Sequence, residues 1–205
     1  MSYSQYKQIA DVLKQFQVVY TEQNFLEELA FDISKPFLED LELTMRDGVP
    51  FSTEFAICEN IIYPTLKEVW KQYRQDFVLW SHHSLNFDEN LNGFPEYILA
   101  KRSSLGKLVL EQPYFLLVEA KQDKFGEGWG QCLAEMVAAQ QLNQHPIIVY
   151  GIVSNGRYWE FGKLESSQFN RNLTSCGIQD IEQLFAVLNY IFKQCEAQLK
   201  DLVTA

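Results

Sequence analysis

The stretch from Tyr114 to Lys121 constrains the fold of this chain more than any other. In it, five apolar or aromatic residues lead directly into Glu119, Ala120 and Lys121. An uninterrupted apolar run of this length is typical of a strand covered on both faces, as at the centre of an α/β sheet. Because side chains alternate along a strand, Glu119 and Lys121 should share one face. Desolvating two opposite charges is costly, so they must either neutralise each other or serve something bound there.

Size and charge narrow the classes of protein to consider. The chain has 205 residues and 47% hydrophobic content, which is enough for one well-filled domain. Its 17 basic and 27 acidic residues give a net charge of −10, which argues against binding nucleic acid through bulk charge alone and leaves a local basic groove open. Four scattered cysteines without metal spacing predict free thiols and no zinc site. We expect a soluble, cytoplasmic protein, since no leader-like segment or long apolar run is found.

Helical periodicity occurs in several segments along the chain. Apolar spacing predicts an amphipathic helix over residues 4–16, and Phe25 to Phe31 and Phe37 to Leu43 could be short helices. Three longer helices are predicted: one capped by Ser52 and kinked or divided at Pro64, one over residues 129–142 that follows a loose glycine-containing connection, and one capped by Asp180.

Strand patterns lie between these helices. Extended segments are predicted over 77–80, 95–100, 108–121, and over 147–161 as a hairpin with its turn at 154–157. Residues 162–177 read as a loop with an edge strand near Leu173. The order of elements predicts an α/β fold with a mixed central sheet flanked by helices. We expect a single domain over residues 1–205, made of an N-terminal helical appendage and a C-terminal loop and helix around a motif-bearing core at 51–163.

Two carboxylates are candidates for a metal site. Glu96 opens one predicted strand and Glu119 closes the next long one, so antiparallel pairing would bring both to the same end of the sheet. With the carbonyl of Ala120 they would form a hard oxygen site suited to Mg²⁺ or Mn²⁺. Lys121 could then orient the attacking water and stabilise charge that develops on a phosphate. The adjacent His82 and His83 face opposite ways on a strand, so we expect surface or loop residues there and not a metal site.

These residues together resemble the motifs of the PD-(D/E)xK nuclease superfamily. Pro95-Glu96, then Glu119-Ala120-Lys121 on an apolar strand, then a helix with Gln131 carry the resemblance, and residues 151–161 are similar to the hairpin that follows the motif helix in type I restriction subunits and related bacterial proteins. The similarity covers about residues 50–163. It implies a restriction-endonuclease-like fold and a nuclease that requires Mg²⁺ or Mn²⁺.

The resemblance also implies a role for each residue. Glu96 and Glu119 match the metal ligands, and Lys121 matches the catalytic lysine. Gln131 matches a glutamine beside the active site, and Glu54 matches an additional helix carboxylate, for which Glu59 is the alternative. The family usually has an aspartate where this chain has Glu96, whose carboxylate reaches further by one methylene, roughly 1.5 Å.

Each assignment has a structural alternative. Glu119 and Lys121 could be a salt bridge, Glu96 could face solvent, and Gln131 and Glu135 could form an ordinary polar helix face. The function expected first is cleavage of DNA, with a cationic lip formed by Lys101, Arg102, Lys107 and Lys124. The alternatives are a nuclease-fold binding or assembly module that does not cut, for instance as a homodimer, and hydrolysis of another phosphoester.

Overall fold

The apolar run that ends at Lys121 forms the middle of the sheet. In the computed structural model, which describes residues 2–204, strand β6 spans Leu110–Ala120 and is buried from residue 113 to its end. It pairs antiparallel with β5 (Tyr97–Arg102) and parallel with β7 (Val149–Ser154). Because β6 has neighbours on both edges and helices on both faces, its side chains at 115–118 and 120 are fully excluded from water.

The other strands extend the sheet on both sides of β6. The remaining strands of this sheet are β1 Val19–Glu22, β2 Phe77–Ser81, β8 Tyr158–Glu165, β9 Gln168–Arg171 and β10 Cys176–Gly177. The strands are hydrogen-bonded in the order β1-β9-β8-β7-β6-β5-β2, and the short strand β10 also pairs with β8. A separate two-stranded ladder joins β3 (Leu85–Asn86) to β4 (Asn92–Gly93). The predicted α/β fold with a mixed central sheet flanked by helices is confirmed.

Helices cover the two faces of this sheet. Helices α1 (Ile9–Phe16) and α5 (Phe125–Leu142) pack on one face, with α1 preceded by a 3₁₀ turn at Tyr3–Gln5. Helices α4 (Tyr63–Tyr73) and α6 (Ile181–Thr204) pack on the other, together with Phe37 from α2 (Lys35–Asp47). Among the residues that the structure describes, none of these helices is both long enough and apolar enough to cross a bilayer.

Two N-terminal segments differ from what their apolar spacing indicates, and tertiary contacts explain both. The helix expected over 4–16 begins only at Ile9, because the backbone of Tyr6 to Gln8 is extended where it passes Gly130 of α5. Residues 25–31 form no helix. Their backbone instead bonds to α6: the amide of Leu29 donates to Ala186 O at 3.1 Å, and Asn189 donates to the carbonyls of Leu29 and Ala30.

The helical region after Pro50 is divided, as predicted, next to Pro64. A short helix α3 (Glu54–Ile57) is capped by Thr53, not Ser52, since Thr53 Oγ1 accepts from Ala56 N at 3.0 Å. A π-helical turn at Cys58–Ile62 follows and leads into α4. Pro64 lacks the N–H that would continue an α-helical ladder, so the change of register falls just before it.

Two further boundaries differ from the prediction. Helix α5 begins at Phe125 and not at Trp129, so its three glycines lie inside the helix instead of loosening a loop, and two of them, Gly128 and Gly130, allow close packing. Strand β8 continues to Glu165 and forms a hairpin with β9, so residues 162–171 are mostly strand. Leu173, expected near an edge strand, lies exposed in the loop before β10.

Candidate active site

The register of β5 and β6 places Glu96 beside Glu119. Tyr97 pairs with Val118, so Glu96, one residue before β5, lies opposite Glu119 near the end of β6. Glu119 is almost completely buried, and the side chain of Glu96 is 18% exposed. Ala120 is the last residue of β6 and pairs with Ser154 of β7. The two predicted metal-binding carboxylates and Ala120 therefore lie at one end of the sheet.

Lys121 connects Glu119 to the first residue of α3. Its Nζ lies 2.7 Å from Glu119 Oε1 and 3.7 Å from Glu54 Oε2, and its side chain is only 14% exposed. Gly128 of α5 allows this position, because a Cβ there would lie 3.0 Å from Lys121 Cγ and 2.7 Å from Val153 Cγ1. The first turn of α3 and the glycine face of α5 thus enclose the lysine on either side of the strand end.

The alternative that Gln131 and Glu135 form an ordinary polar helix face does not hold for Glu135. This carboxylate is 2% exposed, and its Oε2 has no hydrogen-bond partner among residues 2–204. Gln131 lies one turn earlier on the same face and lines a cleft beside Lys121. Its Oε1 also lacks a hydrogen-bond partner among residues 2–204. Helix α5 is buried nearly all round. A carboxylate inside the apolar run from Cys132 to Ala139 was the sequence signal for a functional residue at Glu135.

His82 is the second residue that the sequence did not assign to the site. It lies in a loop, as predicted, but its Nε2 is 3.1 Å from Glu96 Oε2. Its backbone amide also donates to the carbonyl of Glu96 at 2.9 Å. The neighbouring His83 turns away and contacts Trp80 edge to face, with ring centroids 4.8 Å apart. Nothing in the local sequence pattern distinguishes these two histidines.

Burial and mutual repulsion perturb the acids of this cluster. Burial raises the pKa of Glu96 to about 7 against the opposing effect of Lys121, and it likewise raises the pKa of Glu119 to about 7, with the charge of Glu96 adding to the increase. The pKa of Glu135 is raised well above its usual range by burial and then by Glu119 and Glu96. For Lys121, burial alone would lower the pKa, but Glu119, Glu54 and Glu96 outweigh it and raise the value.

Three residues of the predicted cationic lip lie far from this cluster. Lys101 pairs in register with Glu111, and its Nζ is 2.8 Å from that carboxylate. Glu111 and Glu119 are eight residues apart on one strand, a separation of roughly 27 Å at about 3.4 Å per residue. Arg102 and Lys107 follow Lys101 in the chain and lie at the same remote end. The antiparallel turn that brings Glu96 to Glu119 necessarily carries the intervening loop away.

A cleft of about 340 Å³ opens beside Lys121. It is lined by Lys7, Glu54, Lys121, Gln122, Asp123, Lys124, Glu127 and Gln131. Lys124 is the one member of the predicted lip on this cleft, and Lys7 from the N-terminal segment also lines it, with both ammonium groups near Glu127. Two exposed lysines therefore lie on the cleft with Lys121, Glu54 and Gln131, whereas Glu96, Glu119 and Glu135 are not among its lining residues.

The chemistry of these donors fits a hard divalent cation. Within residues 2–204, no three His, Cys, Asp or Glu side chains form a complete metal-binding group. The cluster nevertheless holds more oxygen acceptors than its donors satisfy, since Glu135 Oε2 and Gln131 Oε1 are buried and unpaired in that part of the chain. Oxygen acceptors of this kind suit Mg²⁺ or Mn²⁺, and the groups placed to bind it are Glu96, Glu119 and the carbonyl of Ala120.

Comparison with known proteins adds no family assignment. No protein-family model matches the chain, and the search of curated proteins finds no significant match. The likeness to PD-(D/E)xK nucleases therefore rests on the residue pattern, and function has to be argued from the geometry and charge of the site itself.

Proposed function

We propose that this protein is a metal-dependent nuclease that hydrolyses phosphodiester bonds of DNA at the Glu96, Glu119 and Lys121 cluster. The observation that carries the proposal is the charge of the cluster: one buried ammonium, 2.7 Å from Glu119, lies among the carboxylates of Glu54, Glu96, Glu119 and Glu135. A structural salt bridge requires one acid per base. The excess carboxylates require protons or a cation.

A bound divalent ion would neutralise the excess negative charge of these carboxylates at neutral pH. Its charge would favour the ionised forms of Glu96 and Glu119, whose pKa values near 7 leave them poised between protonated and ionised forms. When bound, Mg²⁺ would supply Lewis-acid polarisation of the scissile phosphate. The protein would hold it through Glu96, Glu119 and the Ala120 carbonyl.

The remaining residues have roles that follow from their own chemistry. Lys121 stays an ammonium, because its neighbouring acids raise its pKa, so it acts as a fixed positive charge toward a phosphate oxygen and not as a base. Glu54 draws this ammonium toward the cleft from the opposite side to Glu119. Gln131 offers a free amide oxygen that can accept a hydrogen bond from the attacking water. Burial favours the protonated form of Glu135, which lies one helical turn beyond Gln131.

The first test removes charge from the buried pair. Glu119→Gln and Lys121→Met keep the size of each side chain, and each should lower the rate of plasmid or oligonucleotide cleavage in Mg²⁺ by about 100-fold or more. The matched control is Lys193→Met, which removes the lysine of an exposed pair with Glu196 at the same 2.7 Å distance. Cleavage should also stop in EDTA. Retention of wild-type cleavage by both site variants would exclude this site.

A second function is favoured by the absence of a complete metal-binding group among the described residues. Lys121 already neutralises Glu119, so the cluster could serve a nuclease-fold binding or assembly module that does not cut. Isothermal titration with Mn²⁺ distinguishes the two. Binding that is lost in Glu96→Gln supports the enzyme; no binding by the wild-type protein, together with a dimer in sedimentation analysis, supports the assembly module.

A further inference from the structure

His82 contacts Glu96 through both its ring and its backbone. The ring Nε2 lies 3.1 Å from Glu96 Oε2, and the amide of His82 donates to Glu96 O at 2.9 Å. The second contact extends the pairing of β2 with β5, in which Ser81 is opposite Tyr97. The backbone hydrogen bond therefore fixes the position of the His82 Cα, and the imidazole of His82 reaches the carboxylate of Glu96, the residue to which its backbone is bonded.

Other groups hold the imidazole in this orientation. Ser81 Oγ lies 2.8 Å from Nδ1, within hydrogen-bonding distance. The ring of Phe55, next to Glu54 on α3, stacks on the imidazole with centroids 6.5 Å apart, and Tyr97 meets it edge to face at 6.0 Å. With Ser81 on one nitrogen and Glu96 beside the other, both polar atoms of the ring have a neighbour. The ring has these neighbours while its side chain remains 41% exposed.

The backbone of His82 is also unusual. Its φ is +49°, in the left-handed region, where asparagine, aspartate and histidine are enriched among the non-glycine residues. It is one of the three non-glycine residues with positive φ in the described part of the chain. This conformation also suits an asparagine, which makes His82→Asn a substitution that the backbone accepts.

We infer that His82 is a positioning residue that holds the carboxylate of Glu96 for metal binding, an inference that rests on the proposed function. A glutamate has one more rotatable bond than the aspartate of the related nucleases, so its carboxylate needs an external constraint to keep one orientation. The contact of Nε2 with Oε2 supplies this constraint and leaves Oε1 for the cation. His82 thereby compensates for the longer side chain at position 96.

The test compares two substitutions that differ only in reach. His82→Asn suits the positive φ but places its amide nitrogen near the position of Nδ1, too short to reach Glu96. His82→Gln extends the amide nitrogen to about the position of Nε2. We expect His82→Asn to weaken Mn²⁺ binding about tenfold or more in isothermal titration, and His82→Gln to recover most of the loss. His83→Asn, at the histidine that faces Trp80, should bind as wild type does.

Crystal structures of the wild-type protein and His82→Asn give a readout that does not depend on activity. In the variant, the Glu96 carboxylate should leave the orientation it has in the wild-type protein. If it stays, or if His82→Gln binds Mn²⁺ as weakly as His82→Asn, the positioning role is wrong. A wild-type protein that binds no Mn²⁺ would refute the proposed metal site. Movement of Glu96 in the same experiment would still establish that His82 orients it.

Discussion

Glu135 illustrates how a single residue can be costly to the fold and useful to the site. A carboxylate at 2% exposure with an unpaired oxygen loses hydration without gaining a partner from residues 2–204. Such a group ordinarily binds a proton, and its raised pKa reflects this. Because Glu119 and Glu96 raise the pKa of Glu135 further, the three acids form one electrostatic unit, and replacing Glu119 or Glu96 should lower the pKa of Glu135.

The pH dependence of stability follows from this unit. Glu96 and Glu119 bind protons more tightly in the folded protein, with pKa values of about 7, than in the unfolded chain, where the value is about 4.5. The stabilisation from their protonated forms is complete below about pH 4.5 and is lost as the pH rises to about 7. In EDTA, we expect the free energy of unfolding to fall by about 1–3 kcal/mol across this range in urea titrations.

Two controls identify the source of that loss. Glu119→Gln should make the decline smaller, because the amide does not titrate. Millimolar Mn²⁺ should do the same if the cluster binds it. Residues such as Glu196, whose pKa is lowered by its hydrogen bond from Lys193, act only below about pH 4.5 and fall outside this window. A free energy of unfolding that rises from pH 4.5 to 7 would contradict the expectation.

At the scale of elements, helix α5 approaches the strand end because of its glycines. Gly128→Ala would place a methyl group 2.7 Å from Val153 Cγ1 and 3.0 Å from Lys121 Cγ. Both neighbours would have to shift, so we expect a loss of about 1–3 kcal/mol in the free energy of unfolding. Displacement of Lys121 should also lower cleavage, by roughly tenfold or more. Thermal melts and plasmid cleavage measure the two effects.

Gly126 provides the matched control on the same helix. A Cβ at this position would meet no atom within 4 Å. Gly126→Ala should therefore leave cleavage unchanged and stabilise the helix by up to about 1 kcal/mol. If Gly126→Ala and Gly128→Ala changed stability and cleavage equally, helix propensity, and not contact with Lys121, would explain the result at position 128.

Elements whose signals are local could be predicted from the sequence. The apolar run of β6, the 154–157 hairpin turn and the cap at Asp180, whose Oδ1 accepts from Gln183 N at 3.3 Å, all occur where the pattern indicates. The failures depend on distant contacts. Residues 25–31 bond along α6, more than 150 positions away, and this alternative to helix cannot be read from their own spacing.

The candidate site likewise contains residues whose positions could be predicted from local pattern and residues whose positions depend on distant contacts. Antiparallel strands were enough to predict that Glu96 meets Glu119. The position of His82 depends on a positive φ and on a contact between the ends of β2 and β5. The burial of Glu135 depends on which face of α5 packs against the sheet. The error about Lys101, Arg102 and Lys107 was avoidable, because the same antiparallel geometry that joins the acids separates the loop from them.

At the scale of the whole molecule, the proposed cleavage of DNA by an acidic protein would depend on a few local cations. Lys7 and Lys124 flank the cleft, so replacing both by alanine should raise KM for DNA by roughly threefold to tenfold at low salt and reduce the salt dependence of binding. Lys107→Ala, at the opposite end of the sheet, is the control and should change neither. Cleavage assays at several salt concentrations measure this, and an effect confined to Lys107 would place the DNA elsewhere.

The four carboxylates come from α3, the start of β5, the end of β6 and the middle of α5, four parts of the chain that meet only in the finished tertiary structure. An unfolded or partly folded chain would scatter them, so the divalent ion that we propose would bind only the folded protein. Mn²⁺ binding during refolding would consequently report when the last of these segments packs into place. Because the ion would bind the native state and not the unfolded chain, it would also stabilise the native state.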